Sequence, residues 1–181
     1  SFRLESGKVE VTGHGIDVER VDLIGRMGRI GRMGRMRLLC VGRISPVKDL
    51  ETVIKAVAEL QRRGLSAELD IIGDTKTAQD EEYKKTLTEF ISNAGLAAVV
   101  RVSNGVPYDK MREVYGAHDI LVHTSRTGSM DKVVLEALAV GLTVVSSSEA
   151  FAGLDGIVVP FAPNDYKGLA AEPAAAMQFP A

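Results

Sequence analysis

The 181-residue chain has one cysteine and three scattered histidines, a scarcity that argues against a zinc site. The cysteine, Cys40, stands inside Arg37-Leu-Leu-Cys-Val, where it reads as a small buried hydrophobe in a reducing cytoplasm rather than a nucleophile. No apolar run approaches the ~20 residues that a membrane-spanning helix needs. The formal net charge of −2 exerts no global pull toward nucleic acid, so no nucleic-acid partner is expected. No G-x-G-x-x-G follows the first strand-like run, which weighs against NAD, and no G-x-x-x-x-G-K-[ST] occurs, which excludes a P-loop NTPase. Ser125 lacks a nucleophile-elbow context, and no D-x-D or carboxylate cluster suggests a magnesium site. No signal peptide is expected ahead of the fold. The chain opens on Ser1 without methionine, which reads as a piece of something longer.

Hydrophobic residues make up 45% and charged residues 25%, enough for one soluble domain with a sizeable core. From residue 38 onward, short β-branched runs alternate with amphipathic ones. Strands are expected at 38–41, 69–72, 99–102, 119–122, 143–146 and 156–159. Helices are expected at 47–63, 81–94, 108–115, 130–140 and 166–177, the last interrupted by Pro173. In the first helix, Val47, Leu50, Val53, Ile54, Val57 and Leu60 recur at helical spacing. Gly95 and Gly141 end two of the others, and Pro107 opens a third.

This alternation implies an α/β, Rossmann-like, doubly wound parallel sheet over residues 37–181, with strand order 3-2-1-4-5-6. Such folds bind ligands at the switch point, beyond the carboxyl ends of strands 1 and 4. The loops there are 42–48 and 123–132. Residues 1–36 form a separate entry segment, with a strand at 8–12 leading into Gly13-His-Gly-Ile-Asp17. A period-three Gly/Arg repeat then runs from Gly25 to Arg37, five arginines in thirteen residues. It reads either as a cationic surface loop or as a patch for phosphate or anionic lipid.

Both switch-point loops seek anions. Gly42 and Arg43 end the first strand, and Arg43 carries a planar fork suited to phosphate oxygens. Lys48, about one turn into the next helix, can reach the same oxygens. Alternatively, both cations pair with the neighbouring acids Asp49 and Glu51. Thr127-Gly128-Ser129 sets hydroxyls and backbone N–H groups at a helix start, either cradling phosphate or merely capping the helix, with Asp131 in its first turn. Lys132 opposes the helix dipole, which makes sense beside a bound anion. Glu136 lies one turn further on, as part of a solvated face or as an acceptor for ribose hydroxyls. Asp74 ends the second strand, where dinucleotide folds place a ribose acid. His123 reads as a structural hydrogen-bonding residue more than an acid–base group.

Taken together, several segments resemble the C-terminal half of GT-B glycosyltransferases, specifically the retaining family 4, or group 1, enzymes, over roughly residues 9–170. Gly13-His-Gly-Ile-Asp17 is similar to the family's N-G-[VI]-D segment, with His14 for Asn. Arg43 and Lys48 resemble its R-x4-K diphosphate clamp. Asp70-Ile-Ile-Gly-Asp74 resembles a strand end, and Asn104-Gly105-Val106 the loop that packs on the nucleobase. Asp131 to Val145 resembles the signature helix and strand. The resemblance implies that Arg43 and Lys48 neutralise the donor's leaving diphosphate, in place of a metal or any other cofactor. It implies that Glu136, the second acid of an E-x7-E motif, holds the ribose. Gly128 stands where the first acid would be, leaving Ser129 and Lys132 to hold phosphate or sugar. The implied activity is hexosyl transfer from a nucleotide sugar to a glycan or glycolipid, with the acceptor bound by an N-terminal domain not in this chain. The implied location is the cytoplasm, at the inner face of the membrane, by peripheral association. A sugar-nucleotide epimerase of the same fold and a non-catalytic nucleotide-binding scaffold are the alternatives.

Overall fold

A computed structural model describes residues 35–154 and 156–178. The arginine repeat up to residue 34 and the 8–17 segment lie outside them. β1 (Arg35–Val41) begins two residues before the expected domain boundary. Met36, Leu38 and Cys40 enter one core and Leu39 the other, as a strand buried on both faces requires.

The remaining strands are β2 (Ser66–Ile72), β3 (Val100–Ser103), β4 (Ile120–His123), β5 (Thr143–Ser146) and β6 (Val158–Pro160). Together they form a parallel sheet of order β3-β2-β1-β4-β5-β6, the doubly wound arrangement expected. In its register Cys40 faces Ile71, and Leu38 also faces Ile120. One face is covered by α1 (Leu50–Arg62), α2 (Ala78–Asn93) and α5 (Tyr166–Gln178), the other by α3 (Met111–Gly116) and α4 (Lys132–Ala139).

Several boundaries differ from the sequence expectation for local reasons. The expected helix at 47–63 is split: a 3-10 turn spans Pro46–Lys48, and Asp49 at φ 45° breaks the path before α1 starts. Lys48 therefore precedes the helix and does not lie one turn into it, and Val47 is 37% exposed and outside the helix's buried stripe. α2 starts at Ala78 because Thr77 and Asp80 form a capping box. The expected 108–115 helix is a 3-10 turn (Tyr108–Lys110) followed by α3. Strand β6 lies two residues later than expected at its start, after Gly156 at φ 80°. Helix α5 runs through Pro173 without a break. An interior proline removes a single N–H donor, and burial of Leu169 and Ala170 against the α1 side anchors the preceding turn.

Candidate functional site

The loops after β1, β2 and β3 interlock before any side chain is considered. The Gly42 N–H donates to the Ile72 carbonyl at 3.0 Å, Ile44 N–H to Asp74 O at 3.0 Å, and Gly73 N–H to Ser103 O at 3.1 Å. Gly73 is there because a Cβ would meet the Gly42 carbonyl oxygen at 1.8 Å. Asp74 is exposed, and its carboxylate accepts the Gly105 N–H at 2.9 Å. It therefore braces the Asn104–Gly105–Val106 loop. Asn104 Oδ1 accepts from Lys84 at 2.9 Å, while Val106 presents an apolar side chain, 36% exposed.

The loop after β4 is bound to the loop after β1 at several points, as the topology requires. Arg126 N–H donates to Val47 O at 3.0 Å, and the Thr124 hydroxyl donates to Lys48 O. The Arg126 guanidinium pairs with Asp49 at 3.1 Å. Lys48 Nζ pairs with Asp131 Oδ2 and donates to Ser125 Oγ at 3.3 Å. Beneath these loops lies a small, open cleft with a cavity volume of about 20 Å³, lined by Gly42, Arg43, Lys48, His123 and Thr124.

The proposed pairing of Arg43 and Lys48 with Asp49 and Glu51 is not found. Asp49 takes Arg126, Glu51 takes Lys55, and Lys48 takes Asp131. Arg43 is exposed and makes no hydrogen bond or ion pair with a described residue. Lys132 is likewise exposed, at the first position of α4, with no ion pair among the described residues.

The start of α4 also differs from the expected cap. Its N-cap is Asp131, not Thr127 or Ser129, and the Asp131 carboxylate makes no bond to its own helix. The first N–H groups of α4 are thus left without a side-chain cap. Asp131 turns instead toward His123, whose Nε2 lies 3.0 Å from Oδ2, and toward the Ser129 hydroxyl, 3.0 Å from Oδ1. Thr127 Oγ1 lies 2.8 Å from Ser129 Oγ and 3.0 Å from Ser125 Oγ. Gly128 sits at φ 64°, a left-handed conformation that disfavours a side chain, so the absence of a carboxylate there follows the backbone.

His123 is 4% exposed and its Nδ1 lies 3.0 Å from Ser146 Oγ, which itself accepts the Ser148 N–H at 3.1 Å. The Asp131 carboxylate can only accept, so the proton of the neutral ring is on Nε2, and Ser146 donates to Nδ1. Burial holds the His123 pKa below its ordinary value, against the pull of Asp131. Burial pushes Asp131 up, but hydrogen bonds from Lys48 and His123 more than offset that and bring it down to about 2. Burial also raises the Cys40 thiol to about 12, which makes it inert.

Glu136 is not on a solvated face. It is 6% exposed, and Oε2 accepts the Tyr115 hydroxyl at 2.8 Å, with no other hydrogen bond from a described residue. The sequence reading gave Asp131 only a place in the first turn of the helix and assigned Tyr115 and Ser146 no part. For Asp131 the available signal was a carboxylate eight residues beyond a strand-end histidine; for Tyr115 and Ser146 the partners are too distant in sequence to suggest themselves. Among the described residues no group of three or more His, Cys, Asp or Glu could hold a metal ion.

The geometry agrees with what the chain is similar to. The family described as glycosyl transferases group 1 matches residues 31–179. A D-inositol 3-phosphate glycosyltransferase from Paenarthrobacter aurescens is 28% identical over 156 residues, which is 76% of this chain and 37% of that protein. A lipopolysaccharide 1,2-N-acetylglucosaminetransferase from Salmonella typhimurium is 27% identical, covering 66% of this chain and 33% of that one. The chain thus spans well under half the length of these curated relatives. Among solved structures, the C-terminal domain of the group 1 protein LpcC from Francisella tularensis superposes with a TM-score of 0.72 at 20% identity, covering 91% of this chain and 89% of that one. HepE from Anabaena, solved in complex with UDP and glucose, superposes with a TM-score of 0.68 at 21% identity, covering 80% of this chain and 39% of that one.

Proposed function

The chain belongs to the group 1 glycosyl transferases, and from that membership we propose that it is the donor-binding half of a retaining hexosyltransferase that draws on a nucleotide sugar. The observation that carries this is Arg43: a guanidinium in the switch-point cleft, without an ion pair among the described residues, beside Lys48 and the uncapped start of α4. Two cations lining one cleft, one of them paired with the N-cap residue of α4, suit a diphosphate.

In this reading Arg43 and Lys48 hold the diphosphate and stabilise the charge that grows on it as the glycosidic bond to the sugar breaks. No metal or other cofactor is needed for that step, because the two cations supply the positive charge. Lys132, Thr127 and Ser129 add donors around the same oxygens, with the Gly128 backbone between them. The Asn104–Val106 loop, braced by Asp74, receives the nucleobase, with Val106 as its apolar contact. Glu136 reaches the ribose through the carboxylate oxygen that Tyr115 leaves free.

The acceptor is a glycan or glycolipid, held by a part of the protein outside this chain; the relatives' names, one an inositol phosphate enzyme and one a lipopolysaccharide enzyme, support that class. No helix among the described residues is long and apolar enough to cross a membrane. We place the enzyme in the cytoplasm, at the inner membrane face by peripheral contact. The test is product analysis with the full-length protein, a radiolabelled nucleotide hexose and a chelator. Transfer of label to acceptor supports the reading. An epimerised sugar nucleotide, or binding without transfer, contradicts it.

A further inference from the structure

The Lys48 side chain is at the centre of a closed ring of hydrogen bonds in which every proton points toward one carboxylate. Lys48 donates to Ser125 Oγ at 3.3 Å and to Asp131 Oδ2. The Ser129 hydroxyl donates its single proton to Asp131 Oδ1 at 3.0 Å. The Thr127 hydroxyl, 2.8 Å from Ser129 Oγ, must therefore donate to it, and the Ser125 hydroxyl must donate to Thr127 across 3.0 Å. His123 adds a third donor to the carboxylate, at the same oxygen as Lys48, with Ser146 holding its other ring nitrogen. Lys48, Thr127 and Ser129, which the donor-site reading assigns to phosphate, are thus already aimed at an anion belonging to the chain.

A structural cap does not account for Asp131. An N-cap aspartate ordinarily accepts from the N–H groups of its own helix, and this one does not. It spans instead to Lys48 in the loop after β1, with its own side chain 22% exposed. His123 is buried and bonds Asp131 Oδ2, and the buried Ser146 hydroxyl holds the far side of its ring, so His123 can keep the carboxylate satisfied when Lys48 departs.

We infer that Asp131 is the resident anion of this site, holding Lys48 and the Ser125–Thr127–Ser129 hydroxyls while the cleft is empty and surrendering them to the donor's phosphate on binding, with His123 retaining the carboxylate. The inference rests on the donor-site reading above. It makes Asp131 an affinity-setting residue: it orders the phosphate donors in advance, and it competes with the ligand for them. Removing its charge while keeping its shape therefore strengthens phosphate binding.

The experiment titrates UDP, GDP, ADP and inorganic pyrophosphate into the native chain, Asp131→Asn, Lys48→Ala and the double variant. One unit charge removed a few ångströms from the ligand at a partly exposed site is on the order of a tenfold change. Asp131→Asn is expected to bind the preferred nucleotide about tenfold more tightly, with pyrophosphate gaining by a similar factor. In the Lys48→Ala background the gain should largely vanish, since the competition is for Lys48. Should Asp131→Asn fail to fold, Asp131→Ser removes the same charge. A folded charge-removing variant that binds unchanged or more weakly, while the native chain binds, overturns the inference and leaves the donor site standing. A gain that persists in full without Lys48 also overturns it. If no nucleotide binds any of the proteins, the donor-site reading fails and the inference fails with it.

Discussion

The Tyr115 hydroxyl donates to Glu136 Oε2 at 2.8 Å, joining α3 to α4 through two residues that are 2% and 6% exposed. Burial and the neighbouring carboxylate both push the Tyr115 phenol up, so it stays a donor at every accessible pH. Replacing Tyr115 with Phe leaves a buried carboxylate without that partner. The expected loss is about 1–3 kcal/mol, the scale of an unsatisfied buried acceptor. Denaturant unfolding of the variant measures it, and an unaltered midpoint would show that the bond carries no stability.

Gly73 is fixed by a close approach, not by its own φ. A Cβ there meets backbone, the Gly42 carbonyl 1.8 Å away, which cannot move without pulling the β1 loop with it. Gly73→Ala is expected to cost more than about 3 kcal/mol and to abolish nucleotide binding together with it. Retention of both would mean the two loops separate freely.

Ser45 presents the opposite case. It is 2% exposed, and its hydroxyl is a buried group without a hydrogen-bond partner among the described residues. Ser45→Ala removes that unsatisfied group while keeping the volume nearly constant. A rise in stability of about 1 kcal/mol is expected from thermal unfolding. A clear loss would show that the hydroxyl is satisfied in solution.

Acid should destabilise the site in two stages. His123 is held below its usual pKa, so its contribution is present above about pH 6.5 and is lost as pH falls toward its folded value, because the unfolded chain takes the proton first. Asp131 is held at about 2 against roughly 4 unfolded, so its contribution is intact above about pH 4 and is lost as pH falls toward 2. Solvent screening limits the second stage to on the order of 1–2 kcal/mol. Unfolding midpoints from pH 8 to pH 2 should decline in both windows. In Asp131→Asn the lower window should become shallower, with the remaining decline due to Glu59, Asp70 and Asp80, which are also held low; an unchanged decline there would assign all of it to those carboxylates.

The sheet was legible because its strands are short apolar runs buried on both faces, and the order β3-β2-β1-β4-β5-β6 is the usual one for a doubly wound sheet. That order brought loops 42–48 and 123–132 together on paper, and the bonds from Arg126, Thr124 and Lys48 are what such proximity produces. What escaped the sequence is which charge finds which. Asp49 and Glu51 are the acids nearest Lys48 in sequence, yet Asp49 at φ 45° turns the chain and directs Lys48 across to Asp131, 83 positions away. Helical spacing ran on through that break because Val47 happens to continue the apolar period. Glu136 resisted reading for a similar reason: its place amid apolar neighbours is satisfied by a tyrosine on another helix, and no local pattern announces such a partner.

In the proposed function Arg43 grips the donor's diphosphate. The most direct measurement is calorimetric titration of UDP, GDP and ADP, without metal, into the native chain and the Arg43→Ala and Lys132→Ala variants. Selective binding of one nucleotide is expected, weakened by roughly 2 kcal/mol in Arg43→Ala, the scale of a charge-assisted hydrogen bond, and reduced in Lys132→Ala. Nucleotide affinity that is the same with and without the Arg43 guanidinium would contradict the account.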